Sequence, residues 1–436
     1  MLGAKLSREQ ERAFGLYRLG QNLFISGPGG SGKSHLIRAV YRDAVDGGKQ
    51  VTVCALTGCA SVLLDCRATT VHSWSGIGLG TSPKEQLLSK IRSSPEKLKR
   101  WTSIDLLIVD EVSMMSSELF ETLLWLGKNL RGSEDPFGGI QVIFSGDFYQ
   151  LPPISGQFCF QSPLWKQSLD SVVVFEAIHR QDEPEFVKVL NQIRRGRISR
   201  RSNRFLEAVV QKPPPTDASS ILPTRILPTR AMVNQINTRE QERLSGDQFD
   251  FYAREGRASI SDLLQRRPTD ANQTSIRKQH PWPGVTPKIS LSVSTQVMCC
   301  VNIDVVGNGV CNGSRGIVVG FLRGAPVVKF LNGVEMVIEP HVWDVGKRLY
   351  VTQIPLILAW AITIHKSQGA SLDCASVDIG SNVFECGQIY VALSRLRSAK
   401  HLWIENLDIH KIKAHPAVIA YYDEVTRDET TPFPTV

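Results

Sequence analysis

A chain of 436 residues is too long for one compact core, so two or three domains are expected, and the composition is that of a globular protein. No apolar run reaches the roughly 18 residues of a membrane span, and the start MLGAKLSREQERAF lacks the apolar stretch of a secretory leader, which points to an intracellular protein with no membrane partner. Nine cysteines without a C-x-x-C pair argue against a disulfide framework and a zinc site, and 50 Lys and Arg against 42 Asp and Glu give +8, compatible with a polyanionic partner without requiring one.

Taken in order, Leu6–Ala13 reads as the start of a helix with Ser7 as its N-cap, and the apolar run Asn22–Ile25 as a strand. That strand feeds GPGGSGKS, the pattern G-x-x-x-x-G-K-[ST], and the helical spacing of Leu36, Ile37 and Val40 follows it. Strands are expected at Gln50–Ala55, Ile104–Val109 and Gln141–Ser145, with helices at Ala60–Leu64 and Ser117–Leu130. Near-continuous apolar strands separated by helices indicate a parallel sheet covered on both faces. The Gly- and Pro-bearing stretch from about Gly76 to Arg100 looks like a small insertion. A strand at Ser171–Phe175 and a helix carrying Phe186, Val189, Leu190 and Ile193 mark the restart of the pattern, and a second α/β core near residue 175. KPPPT at 212–216 reads as a linker, and 245 to about 290, polar, proline-bearing and weakly periodic, as a long, partly mobile excursion. Short β-rich runs with turns at Asn312-Gly313, Arg323-Gly324 and Asn332-Gly333 suggest a small barrel within the second core. The α/β reading resumes with Leu356–Ile364, a strand at Ala375–Ile379, a helix through Val391 and a last helix near Ala417–Tyr422.

In a phosphate-binding loop, Gly27, Pro28, Gly29, Gly30, Ser31 and Gly32 let backbone N–H groups reach a β-phosphate, Lys33 bridges the outer phosphates and Ser34 holds Mg²⁺. Asp110-Glu111 ends an apolar strand, which puts two carboxylates at the sheet's carboxyl edge: Asp110 for Mg²⁺, Glu111 to activate water. Gln150 in GDFYQLPP is a candidate sensor of the γ-phosphate, or part of a plain strand-exit turn. Arg180 and Arg395 are candidate fingers, each worth on the order of 4–7 kcal/mol in the transition state, or members of solvated faces. The cluster Thr363, His365, Lys366, Ser367, Gln368 and Gly369 has the polarity to touch both a phosphate backbone and a nucleotide. Trp74 beside His72 offers a stacking platform worth about 1–3 kcal/mol per base, with a buried core tryptophan as the competing reading. Arg194, Arg195, Arg197, Arg200, Arg201 and Arg204 form a cluster that either steers DNA or lines a solvated helix.

These motifs, with LSREQ, LTGCAS, TTVHSWSGIG, DEVSM, SVVVFEAIHRQDEPEFVKVLNQIRRG, VCNGSRG, IHKSQGASLD and YVALSRLRS, resemble in this order the PIF (petite integration frequency) family of DNA helicases, in superfamily one, group B, alongside the RecD-like enzymes. The resemblance runs from Leu6 to about residue 410. It implies two RecA-like parallel-sheet cores, the first over 1–75 and 101–174 with a small insertion at 76–100. The second would span 175–294 and 351–436, with an SH3-like β-barrel insertion at 295–350. It implies ATP held by Gln10, the loop residues and Gln368-Gly369, with Mg²⁺ on Ser34 and Asp110. Hydrolysis would fall to Glu111 and Lys33, with Gln150, Arg180 and Arg395 as sensors and fingers. It implies a single-stranded DNA path over Thr57, Gly58, Thr70, His72, Trp74, Asn312, Gly313, Arg315, Thr363, His365 and Lys366. Translocation 5′→3′, unwinding of duplex, forked or G-quadruplex DNA in genome maintenance, RNA–DNA hybrids as further substrates, a monomer in solution and a place in nucleus or mitochondrion are likewise implied.

Physical reasoning arrives at a motor independently, because two α/β cores with a nucleotide in the cleft can close on ATP and open on ADP. Two rivals stay open: a translocase that remodels RNA or nucleoprotein on the same engine, and a nucleotide-dependent DNA-binding switch. Glu111 and two candidate arginine fingers speak against the switch, which has no use for a water-activating base.

Overall fold

The computed structural model describes residues 6–56, 64, 66, 68–78, 80, 82–212, 222–257, 274–275, 285–301, 303, 310, 312–346 and 349–429. The chain falls into two compact units, Met1–Ala208 with Ile379–Ala399 and Leu407–Val436, and Val209–Asp378 with Lys400–Asn406.

The first unit is built on six strands: β1 (Leu23–Ser26), β2 (Val51–Ala55), β3 (Thr69–Thr70), β4 (Leu106–Asp110), β5 (Gln141–Gly146) and β6 (Ser171–Val174). They lie in the order β3-β2-β4-β5-β1-β6 with every pair parallel. Strand alternation sorts their side chains into two layers. Leu23, Ile25, Leu106 and Ile108 pack with Leu36, Ile37 and Val40 of the helix Lys33–Asp46. Phe24, Leu107, Val109 and Phe144 pack on the other face with Phe120, Trp165 and the last helix, Pro416–Glu429, through Tyr421 and Tyr422. Burial on both faces explains why these strands read as unbroken apolar runs. The expected N-cap at Ser7 is present as a capping box with Gln10. The stretch after Gly76 holds two helices, Lys84–Arg92 and Pro95–Ser103, whose Leu87, Ile91 and Trp101 join the same core. The helix expected at 60–64 lies outside the described residues except for Leu64, as does the linker beyond Lys212.

The second unit continues with β7 (Thr224–Leu227), β8 (Phe249–Tyr252), β9 (Arg254–Arg257), β10 (Thr274–Ser275), β11 (Lys288–Leu291), β12 (Gln296–Cys299), β13 (Arg315–Leu322) and β14 (Ala325–Phe330). After them come β15 (Glu335–Val337), β16 (His341–Gly346), β17 (Leu349–Gln353), β18 (Leu356–Leu358), β19 (Ala361–Thr363), β20 (Ala375–Ile379) and β21 (Leu402–Leu407). A four-stranded sheet β19-β7-β20-β21 has β7 parallel to both neighbours. The antiparallel sheet β15-β14-β13-β12-β18 carries the Arg323-Gly324 hairpin, where both residues take positive φ as a two-residue turn requires. One expectation is corrected. Residues 249–257, read as part of a partly mobile excursion, form β8 and β9, paired with β11 and with β10 and β17. Partner strands far along the chain, which local periodicity cannot reveal, satisfy their backbone.

A close backbone approach holds the first core together. In the helix Ser117–Arg131, a Cβ on Gly127 would lie 2.5 Å from Phe137 O and 2.7 Å from its carbonyl carbon. Gly→Ala within a helix ordinarily adds about 1 kcal/mol. Gly127→Ala is expected instead to destabilise by on the order of 2 kcal/mol in urea titration, because the backbone must part to admit the methyl.

Candidate active site

β1 ends at Ser26, paired with Gly146 on one side and Val174 on the other, so the loop Gly27–Gly32 leaves the sheet's carboxyl edge beside the exit of β5. β4 ends there with Asp110. Carboxyl edges of parallel sheets are where such folds bind ligands. The glycines are required by contact: a Cβ on Gly30 would be 2.5 Å from Arg180 Cβ, and one on Gly32 would run into the Gln10 amide. Gln10 is buried, its Oε1 accepting from Ser7 N at 2.9 Å and its Nε2 donating to Gly32 O at 3.3 Å. Lys33 Nζ donates to Gly27 O at 2.6 Å and Pro28 O at 3.0 Å. The Ser31 hydroxyl is buried with no hydrogen-bond partner among the described residues.

Three cations converge on this loop. Arg395 is fully buried, its Nε donating to Val391 O at 2.8 Å and its Nη2 to Ser394 Oγ at 2.9 Å. Arg180 Nη1 donates to Ser394 O at 2.9 Å. Arg395 Nη2 and Arg180 Nη1 lie 3.3 Å and 3.7 Å from where a Gly29 Cβ would be. Burial lowers the pKa of all three cations, that of Arg180 to about 9 with the Arg395 charge as the second cause. The Glu111 charge opposes the shift in each. Glu111 takes φ 58°, a left-handed conformation that non-glycine residues rarely adopt. Asp110 is buried, and burial, then the Glu111 charge, push its pKa up to about 6.

These residues fit the groups expected of them. Desolvated guanidinium and ammonium groups around a glycine cradle are stabilised by a polyanion such as a triphosphate. Among the described residues no cluster of three or more His, Cys, Asp or Glu could hold a metal, whereas Mg²⁺ needs only one or two protein oxygens beside nucleotide phosphates. Asp110 and the half-buried Ser34 supply hard oxygens of that kind. Gln150 is buried on the loop after β5, and its Oε1 has no hydrogen-bond partner among the described residues.

Other parts of this site were not foreseen. Tyr390 Oη accepts from Gly29 N at 2.8 Å, so the helix Gln388–Leu393 that precedes Arg395 also grips the loop. A Cβ on Gly387, the N-cap of that helix, would collide with Gln150 O. Arg194 neither steers DNA nor lines a solvated face, which is a correction: it is buried and forms a bidentate pair with the fully buried Asp147. The YVALSR spelling was a signal for Tyr390, and Arg194 falls at the i+8 position of the apolar stripe Phe186, Val189, Leu190 and Ile193, a local signal that its charge masked.

The expected strand path is placed unevenly. Thr57 and Gly58 lie outside the described residues. Thr70 is half-buried and caps the helix Val71–Ser75, and His72 is half-buried on it, burial lowering its pKa. Trp74 is only 4% exposed and packs against Trp101 with ring centroids 4.7 Å apart, which corrects the stacking platform in favour of the core reading. Arg315 is a second correction. It is fully buried, donating to Leu222 O at 2.9 Å and Thr224 Oγ1 at 3.0 Å and contacting Cys374 Sγ, so it pins β13 to the start of β7. In the second unit, Thr363 is buried and caps the short helix Ile364–Ser367, which presents His365 and Lys366 to solvent. Gln368 and Gly369 close that turn, Gln368 buried and Gly369 at φ 81°. The Asn312-Gly313 turn comes beside it, since a Cβ on Gly313 would be 2.7 Å from Ser371 O. Partial burial and the neighbouring Arg230 charge lower the His365 pKa.

Residues 5–204 match the sequence profile described as PIF1-like helicase. The chain is 35% identical over 437 residues to the ATP-dependent DNA helicase PIF1 of Xenopus laevis, covering 97% of this chain and 65% of that protein. Thus the chain spans about two thirds, and slightly less, of the curated relatives' length. Among solved structures, the Pif1 helicase of Candida albicans is 32% identical with a TM-score of 0.78, covering 97% of this chain and 100% of that one. A Pif1 helicase from Bacteroides in complex with ADP-AlF3 and ssDNA is 26% identical with a TM-score of 0.70, covering 98% of each.

Trp74→Ala is expected to lower the melting temperature by on the order of 10 °C, as loss of a buried indole does, while anisotropy titrations show single-stranded DNA affinity within twofold of parental. Asp110→Asn supplies a pH test on the metal-free protein. The folded pKa lies above the unfolded value near 3.8, so the stability Asp110 contributes is present below about 4 and lost as pH rises through about 6. The variant should therefore be more stable than the parent at pH 8, by on the order of 2 kcal/mol, with the gap closing towards pH 4.

Proposed function

The chain belongs to the PIF1-like helicase family, and on that premise we propose that it is an ATP-dependent DNA helicase that translocates on single-stranded DNA. The observation that carries the reading is the meeting of Arg180, Arg395 and Lys33 around Gly29 and its neighbours, in the unit that also holds Asp110 and Glu111. A binding switch needs phosphate contacts alone. A fully buried guanidinium, Arg395, and a half-buried one, Arg180, beside a carboxylate in a strained backbone conformation suit charge that develops during hydrolysis.

In this reading Gly27–Gly32 and Lys33 hold the β- and γ-phosphates, and Gln10 lies where it can meet the base. Gln368-Gly369, on the second unit, completes the assignment by family resemblance. Ser34 and Asp110 are the residues that would hold Mg²⁺, which when bound neutralises phosphate charge. Glu111 takes a proton from the attacking water, Arg180 and Arg395 stabilise the charge spreading over the transferred phosphoryl group, and Gln150 senses its presence. His72, with Asn312, Gly313, His365 and Lys366 on the second unit, contacts the strand, Lys366 supplying the phosphate charge. The family resemblance supports 5′→3′ movement, fork junctions, G-quadruplexes and RNA–DNA hybrids as substrates, a monomer in solution, and action in nucleus or mitochondrion. It also supports the partition into two RecA-like cores with insertions at 76–100 and 295–350. Among the described residues no helix is long and apolar enough to cross a membrane.

The test is ATP hydrolysis with and without single-stranded DNA, followed by unwinding of duplexes bearing a 5′ or a 3′ tail. DNA should raise turnover, and only the 5′ tail should support unwinding; stimulation by RNA alone would favour the remodelling rival. Glu111→Gln should bind ATP with parental affinity and hydrolyse it at least a hundredfold more slowly, and Arg180→Ala or Arg395→Ala should lose roughly a hundredfold in turnover with far smaller changes in ATP affinity. Parental turnover in Glu111→Gln would remove it as the base.

A further inference from the structure

The last helix reaches into the hydrolytic site through one hydroxyl. Tyr422 Oη lies 2.6 Å from Ser26 Oγ and accepts from Phe148 N at 3.1 Å. Ser26 is the final residue of β1, immediately before Gly27, and Phe148 is on the turn that carries Gln150. A single side chain thus ties the exits of two neighbouring strands, one feeding the phosphate loop and the other the sensor. Around it, the Tyr422 and Tyr149 rings stack at 4.9 Å with 10° between their planes, and the Arg194 guanidinium carbon lies 4.6 Å and 5.6 Å from the Tyr149 and Tyr422 ring centroids. Arg194 clamps Asp147 through Nε to Oδ2 at 2.9 Å and Nη2 to Oδ1 at 2.8 Å. Asp147 in turn shapes the loop, its Oδ1 accepting from Tyr149 N at 3.2 Å and its backbone oxygen from Gln150 N at 2.8 Å.

Stability does not account for this arrangement. A buried ion pair often does no better than apolar residues of the same volume, because desolvation offsets the attraction. What a bidentate pair and a two-sided hydroxyl supply is a fixed geometry, and here every fixed atom belongs to the loop that ends in Gln150 or to the strand that ends at the phosphate loop. We propose that Tyr422 and Arg194 are positioning residues for ATP hydrolysis, holding Asp147–Gln150 in register with the phosphate loop, so that the C-terminal helix is a working part of the ATPase. The inference rests on the reading of Gln150 as sensor.

The experiment compares DNA-stimulated ATP turnover in the full chain for Tyr422→Phe, Arg194→Lys, Gln150→Ala and the double variant Tyr422→Phe/Gln150→Ala. Tyr422→Phe keeps the ring stack and removes only the hydroxyl. It should lower kcat about tenfold with KM for ATP within twofold, at a melting temperature close to parental. Arg194→Lys, which keeps the charge but loses the fork, should lower kcat at least as much. In the Gln150→Ala background, Tyr422→Phe should cost less than a further twofold. Parental kcat in Gln150→Ala would overturn the sensor reading itself. A reduced kcat in Gln150→Ala, with Tyr422→Phe costing its full factor again, would overturn the positioning inference alone, as would parental kcat in Tyr422→Phe. Should Tyr422→Phe not fold, Ser26→Ala removes the hydroxyl's other partner, leaves every ring in place and is read the same way.

Discussion

Keeping positive charge out of water beside a glycine-rich turn is the constraint around which the first unit is arranged. An isolated buried guanidinium or ammonium is costly, and here burial lowers the pKa of Lys33, Arg180 and Arg395 together. Backbone and hydroxyl oxygens answer part of the demand: Gly27 and Pro28 for Lys33, Val391 and Ser394 for Arg395, Ser394 for Arg180. Carboxylates answer another part, since Glu111 favours the charged form of each cation. What remains is a field suited to an anion with several charges and a flat, branched shape. That explains why the sheet edge, the two arginine-bearing segments and Tyr390 are drawn to one turn.

Much of this was legible in the sequence because it is local. Five apolar runs of the first unit became β1, β2, β4, β5 and β6, because a strand buried on both faces needs no polar alternation and shows itself as a run, while the two-residue β3 gave no such signal. The phosphate loop was legible because the spacing G-x-x-x-x-G-K-[ST] is itself local, although the side chains that crowd its glycines come from Gln10, Phe175 and Arg180, and the Ser7 cap because its partner Gln10 is three residues away. The arginines Arg180 and Arg395 were legible only in company, since nothing in either segment separates a finger from a solvated residue. Their shared partner Ser394 and their common approach to Gly29 are tertiary facts.

What could not be read was the assignment of inside and outside to large amphipathic side chains. Trp74, Arg194 and Arg315 each carry chemistry that suits nucleic acid, and each is buried. Their partners lie 27, 47 and 59 residues away in Trp101, Asp147 and Cys374, beyond the reach of a helical or strand period. The same distance hid β8 and β9, whose partners β11 and β17 sit across a long stretch of polar chain. Composition compounds the difficulty: a tryptophan offers the same indole to a base as to a neighbouring indole, and an arginine the same fork to a phosphate as to a carboxylate.

These burials narrow where a strand could be held. With Trp74 and Arg315 internal and Thr70 and Thr363 engaged as helix caps, the helix Ile364–Ser367 exposes His365 and Lys366 with Arg230 as a charged neighbour, while His72 is half-buried on the first unit. Burial lowers the pKa of both histidines, so neither carries a full charge at neutral pH. The strong electrostatics are concentrated instead at the glycine-rich turn of the first unit, where the fully buried Arg395 meets the half-buried Lys33 and Arg180.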